Sequence, residues 1–520
     1  MGADAMFTTL KGLTDRGPTD ALVIGSGPAG LTVATALRTG GARVVLLESG
    51  SRRAVQDTLN DVTVTGLPFS GSRSGRARGF GGTGQKWAGQ CLPLDDIDLT
   101  PRSWVAGSGW PLGAEELAPW VVHASRLFGL PDATYRERDA DSSPVRLPDV
   151  DPGRLQWRVT NYSPGRRLGS RLRATCHRDR DLTVVLDATV VRLVVSGTRV
   201  TGAVTRSHDG QERTLSAGAV VLACGGLENA RVLLASGEAS QELGNTSGHV
   251  GRGLQDHPYW LVGTVVGSPP ELGQVFQSML AGKRRIRPRL TLAPEQQRGR
   301  STLNCVADLE LDHGPRSAVG ALKRVYDAVK EMRRPPGLLS ETVRMLAEPR
   351  TLTRELAHRA RGVGSPPDRH TRLLLRLQTE QPPLGKSHVR LSERRDALGC
   401  RGLEVYWTVG EQEQRTCVEM ADVVAGQLRD LGLGRLELFP WLDDPALFRR
   451  AARDFFHHSG TTRMALDPAH GVVDPDCRVH GVDNLYVLGS SIFPSSGYAH
   501  PTLTIVALAL RLADHLRRAL

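Results

Sequence analysis

Thirty residues near the start of the chain leave little freedom in how it begins to fold. Ala21-Leu22-Val23-Ile24 is an unbroken apolar run, as a parallel strand buried on both faces should be. Gly25-Ser26-Gly27-Pro28-Ala29-Gly30 follows, then a helical pattern over Leu31 to Arg38, then the strand-like Arg43-Val44-Val45-Leu46-Leu47-Glu48. A lone glycine triplet is weak evidence, but here it joins a strand to a helix that returns to a second strand, the context of a dinucleotide-binding unit. Gly25 allows the tight turn, Gly27 lets the backbone approach a pyrophosphate, and Gly30 lets helix and strand pack closely. Pro28 and Ala29 open the helix, whose positive dipole end then faces the phosphates. Glu48 ends the second strand, where it would accept from ribose hydroxyls and repel a 2′-phosphate.

A second strand–glycine–helix unit runs from Gly218 to Ala235. There Ala219 to Ala223 is followed by Cys224-Gly225-Gly226, without the full glycine spacing. Thr183–Val195 and Arg199–Arg206 alternate like a meander. At the other end, Leu485-Tyr486-Val487-Leu488 reads as a buried strand ending in Gly489-Ser490-Ser491, and His500-Pro501-Thr502 opens a helix to Leu516. The fold class is therefore α/β. At 520 residues the chain is too long for one core.

The net charge of +11 invites a polyanionic partner. It is unevenly placed: residues 283–373 carry 20 basic and 10 acidic side chains, so nearly all the excess lies there. That segment reads as a solvated, helical basic arm, which leaves a nucleic-acid or membrane-surface protein as the rival class. Its sparse aromatics and interspersed acids argue against nucleic acid. Only six of the 66 basic residues are lysines, a skew that points to GC-rich coding. Seven scattered cysteines without a CxxC pair argue against a disulfide framework or a cysteine zinc site and suit a cytoplasmic protein. No run is long and apolar enough to span a membrane, and no metal site is expected from the histidines.

Five blocks in order resemble the glucose–methanol–choline (GMC) family of FAD-dependent alcohol oxidoreductases. They are Gly25–Gly30 with Glu48; Gly81-Gly82-Thr83-Gly84-Gln85-Lys86-Trp87; Gly251 through Asp256-His257-Pro258; His457-His458-Ser459-Gly460-Thr461; and Val473-Asp474 through Gly489-Ser490 to Pro501-Thr502. The resemblance implies a Rossmann-like FAD-binding domain, discontinuous in sequence, with an inserted α+β substrate domain. Its N-terminal part would span 16–260 with a lid-like segment at about 60–150, the substrate domain 261–449, and its C-terminal part 450–520. It places Gly82, Thr83, Trp87 and Ala223 on the cofactor, Val190 at the adenine through its backbone, Gly489 and Ser490 near the pyrophosphate, and Pro501 and Thr502 near the flavin ring.

Oxidising an alcohol removes a proton from oxygen and a hydride from carbon, and the flavin N5 accepts the hydride. The protein must supply a base, which histidine does near neutral pH. By resemblance that base is His457, with His500 orienting the oxygen; a register shift of one would exchange His457 with His458. His257 reads as structural. Lys86 stands before Trp87, where some relatives attach FAD through histidine, so non-covalent FAD is expected. A protonated His500 would stabilise superoxide and lean the protein toward O2 over another acceptor. The C-terminal block is most similar to sugar- and polyol-oxidising members. It implies a small-molecule alcohol substrate such as a paromamine-like aminoglycoside, with C3 oxidation of a glycoside or an acceptor-dependent sugar dehydrogenase as alternatives.

Overall fold

The computed structural model describes residues 7–14, 19–53, 58–164, 182–237, 243–269, 271–314, 317–330, 337–360 and 371–520. Six parallel strands form the first sheet, in the order Phe7–Thr9, Leu182–Leu186, Val44–Leu47, Ala21–Ile24, Ala219–Leu222 and Leu485–Val487. The strand before the glycine turn therefore lies centrally, and residues nearly 500 positions apart in sequence share one sheet. Its apolar runs are buried on both faces, with Val23, Leu46, Val184 and Val221 all at 0% exposure, as a parallel sheet covered on each side requires. Helix Pro28–Thr39 packs against the C-terminal helix Thr502–Ala519 over this sheet.

The sheet begins earlier than the expected boundary at residue 16, with Phe7–Thr9 pairing Val184–Leu186. The alternating stretch from Thr183 also divides. Leu182–Leu186 joins the parallel sheet, and Asp187, at φ 53°, turns the chain into the antiparallel strands Thr189–Ser196, Arg199–Arg206 and Glu212–Leu215.

The second large sheet is antiparallel. Its order is Arg435–Leu438, Tyr259–Val266, Arg372–Thr379, Cys305–Asp312, Arg284–Leu292, Leu155–Tyr162 and Gln90–Cys91, with Met279–Ala281 paired to Arg284–Leu292. Two of these strands, 90–91 and 155–162, come from within the expected N-terminal FAD part, so this sheet is not confined to 261–449. The basic arm also needs correction. Helices Ala318–Lys330, Leu338–Ala347 and Pro349–Ala360 occupy its middle, but Arg284–Leu292 and Cys305–Asp312 are inner strands of the sheet. The reason is a period of two: Ile286, Leu290 and Leu292 are buried on one face, while Arg285, Arg287 and Arg289 alternate onto the other. Six described cysteines are free thiols; Cys176 lies outside the described residues. Among the described residues no helix is long and apolar enough to cross a membrane.

Candidate active site

The glycine turn is built as close packing demands. Gly25 sits at φ 102°, and a Cβ there would lie 2.5 Å from the Ala223 carbonyl oxygen; one on Gly30 would lie 1.8 Å from the Gly25 oxygen. Gly27 and Gly225 differ, since a Cβ on either meets nothing within 4 Å. Gly27 caps the helix Pro28–Thr39 with no side-chain acceptor on its first N–H groups and no acid in its first turn. Unshielded backbone donors beside open space suit a pyrophosphate. The short turn Gly82–Gln85, which carries Thr83, lies over this cradle: a Cβ on Gly82 would be 3.1 Å from the Gly27 Cα. Trp87 packs its ring on Phe128, and its buried indole N–H has no partner. Gly489 and Ser490 follow the strand at the sheet edge, and Pro501 caps the helix that begins at Thr502. These observations fit FAD.

Glu48 departs from its expected part. Its Oε1 accepts from the backbone N–H groups of Gly50 and Gly79, both at 2.8 Å, and its Oε2 accepts from Ser26 N–H and the Ser26 hydroxyl. The carboxylate thus ties three loops together, and its acceptor sites are already used by protein donors. Val190 likewise gives its carbonyl to Arg231 at 3.2 Å. Arg231 belongs to a buried cluster in which Glu228 pairs with Arg76, Arg78 and Arg231. Burial opposes the Glu228 charge, but the three guanidiniums hold its pKa far below the usual range. Composition gave no signal for this cluster, because Arg76 and Arg78 lie some 150 positions from Glu228 and Arg231.

The chain brings three histidines together. The segment Gln255–Tyr259 runs alongside 453–459, exchanging backbone bonds between Gln255 and Ser459 and between Tyr259 and Arg453. Asp256 fastens the loop by accepting from the N–H groups of His257, Phe455, Phe456 and His457, at 2.6 to 3.2 Å. Burial nevertheless pushes its carboxyl up to about 7. The His457 ring then stands against His257, with centroids 4.8 Å apart, and against His500 at 5.3 Å. His458 faces the other way, onto Phe69 at 5.1 Å.

His257, read from sequence as structural, reaches His457 Nδ1 with its own Nδ1 at 2.9 Å. One of the two nitrogens must carry the proton, so this contact couples the tautomers of the two rings. When His457 donates, its Nε2 keeps a lone pair. Burial, with Arg289, His457 and His257, holds His500 well below the usual imidazole range; burial, with His257, His458 and Arg289, does the same for His457. His257 is pushed down to about 3, mainly by burial. The expected protonated His500 is disfavoured: burial and the Arg289 charge both oppose the imidazolium. Both of its ring nitrogens are buried and unpartnered, so the site presents a donor and an acceptor to whatever enters.

A nucleotide cradle on a parallel sheet, joined to a neutral histidine cluster under an antiparallel sheet, defines a flavin-dependent oxidoreductase acting on CH–OH groups. Two profiles described as GMC oxidoreductase match residues 164–259 and 383–509, and one described as FAD binding domain matches residues 18–72. The chain belongs to the GMC oxidoreductase family and uses FAD. It is 25% identical to a paromamine 6′-oxidase of Streptomyces fradiae over 95% of this chain and 90% of that protein. A C-glycoside 3-oxidase of Microbacterium trichothecenolyticum is 30% identical over 23% of this chain and 22% of its own length. Among solved structures, a pyridoxine 4-oxidase from Mesorbium loti aligns with TM-score 0.56 and 18% identity, covering 96% of this chain and 99% of the other. A formate oxidase aligns with TM-score 0.57 and 17% identity over 98% and 99%. These two likenesses concern the fold.

Proposed function

We propose that the protein oxidises an alcohol group of a sugar-like or pseudo-sugar substrate to the carbonyl, with His457 as base and His500 as the group that orients the substrate oxygen. The observation that carries the reading is the cluster of His257, His457 and His500. His457, in the tautomer that donates from Nδ1 to His257, offers Nε2 to the hydroxyl proton. His500, neutral and unpartnered, donates to or accepts from the same oxygen. When bound, FAD supplies the hydride acceptor. Gly25 to Gly30, Gly82, Thr83, Ala223, Gly489 and Ser490 would hold it, non-covalently because Lys86 precedes Trp87.

Substrate class rests on the similarity to the paromamine oxidase and the glycoside oxidase. With His500 neutral, the lean toward O2 over another acceptor loses its support. Free, scattered thiols suit a reducing cytoplasm. The test is anaerobic bleaching of the flavin by a panel of sugars, glycosides and aminoglycosides, repeated with His457→Ala. Bleaching by at least one, abolished in a variant that still binds flavin, is expected. A flavin that no member of the panel bleaches, or bleaching at the normal rate in His457→Ala, overturns the reading.

A further inference from the structure

The antiparallel sheet turns an arginine-rich face toward the histidines. Gln378 Nε2 donates to the Tyr498 carbonyl at 3.1 Å, fixing that face beside the turn that ends at His500, and the Arg376 guanidinium lies 5.9 Å from the centre of the Phe455 ring. Beside them stands Arg289, whose side chain is 1% exposed. Its Nε and NH1 have no hydrogen-bond partner, and its NH2 reaches only Gln90 Oε1, at 3.4 Å. Among the described residues, the one carboxylate within ion-pair reach is Asp308, 3.7 Å away, and it is already engaged by Arg287 at 2.8 Å and Arg376 at 2.7 Å. Three guanidiniums thus converge on one buried carboxylate, with Glu310 adding a longer contact to Arg376 at 3.8 Å. The Arg289 charge is felt at His257, His457 and His500, lowering the basicity of each.

Burying a guanidinium with three of its five N–H donors unmatched is costly unless something completes the set. Nothing in the fold of the sheet requires it, because the apolar residues of this strand already face the core. The excess positive charge beside the reacting histidines favours an anion there and disfavours an ammonium.

We propose that Arg289 anchors the substrate by binding an anionic oxygen group, a carboxylate or a phosphate, carried on the sugar-like molecule near the carbon that is oxidised. This inference rests on the alcohol-oxidising reading above and narrows its substrate to acidic sugars, away from polyamines.

Two assays on the FAD-loaded protein separate the inference from that reading. In the first, acetate and inorganic phosphate are titrated against the flavin absorbance spectrum, a binding readout that needs no turnover. Saturable perturbation by either ion is expected, with its Kd raised about tenfold or more in Arg289→Gln and less in Arg289→Lys, which keeps the charge. Acetate alone responding would identify a carboxylate, phosphate alone a phosphoryl group. In the second, glucuronate, glucose 6-phosphate, glucose and glucosamine are compared as reductants under anaerobiosis. An acidic sugar is expected to show the lowest KM, and Arg289→Gln to raise that KM about tenfold, several times more than it changes the KM of glucose. No anion-dependent spectral change in the wild type, or an unchanged Kd in flavin-loaded Arg289→Gln, overturns the inference. So does glucosamine outperforming the acids. Loss of all alcohol-driven bleaching with anion binding intact overturns the function and leaves the anion site standing.

Discussion

Replacing Gly226 by alanine tests the placement of the histidine loop without touching a histidine. A Cβ on Gly226 would lie 2.1 Å from the His458 carbonyl oxygen and 2.7 Å from its carbon. Ordinary contact begins near 3.4 Å, so the His458 peptide must retreat by about 1.3 Å. The obstacle is backbone, held in place because the same carbonyl accepts from the Ser490 hydroxyl and Ser459 N–H is bonded to Gln255. His457 precedes His458 in the chain, so the shift reaches it through the His458 Cα. A misplacement of about 1 Å at a reacting group costs on the order of 100-fold in rate, and overpacking of this kind costs about 1–3 kcal/mol of stability. The assay is stopped-flow anaerobic flavin reduction with the best substrate of the panel, alongside FAD content and thermal unfolding. The reduction rate should fall about 100-fold with FAD still bound and Tm a few degrees lower. A rate within twofold of wild type, in a variant with full FAD content, would refute the argument that Gly226 sets the His457 position.

Gly27→Ala should do the reverse: its Cβ meets only open space, so apoprotein stability falls only by the N-cap preference of glycine over alanine, about 0.5–1 kcal/mol, while the FAD Kd, followed by flavin fluorescence, rises at least about tenfold. His257→Phe removes the partner of His457 Nδ1; kcat should drop about tenfold or more, with KM and FAD content retained. Because burial lowers the His457 and His500 pKa values, both remain neutral below the ordinary imidazole range. The acid limb of kcat/KM should then lie below pH 6.5, with activity at pH 6 close to its plateau; an inflection at or above 6.5 in the pH profile counts against this. Arg102 and Glu380 form a fully buried ion pair. Arg102→Met leaves a buried carboxylate unpaired and should cost about 3–5 kcal/mol in urea unfolding.

Local pattern made the nucleotide half of the protein legible. The strand, glycine turn and helix at Ala21–Arg38 succeed as a reading because each step depends on neighbours in sequence: an apolar run, a backbone without Cβ, a proline at a helix start. The pairing of Ala219–Leu222 with Leu485–Val487 was foreshadowed only by their shared strand–turn–helix grammar. The Arg284–Leu292 strand carried a period-two signal, but its arginines made it look like a solvated surface, and charge counts cannot tell a buried face from a wet one. Residues 155–162 and 90–91 joined a sheet whose other strands lie far down the chain, a partnership no local window contains.

Sequence alone determined the α/β class and the glycine-turn cradle, since these rest on residue type and short spacing, while the family resemblance singled out His457 and His500. Tertiary structure alone decided which histidine ring meets which. It turned His458 onto Phe69, set His257 on His457, and engaged Glu48 with Ser26, Gly50 and Gly79. It also brought part of the basic segment from an assumed exterior into the interior of the antiparallel sheet. Desolvation and proximity are properties of packed space, and both act here between residues some 200 positions apart in the chain.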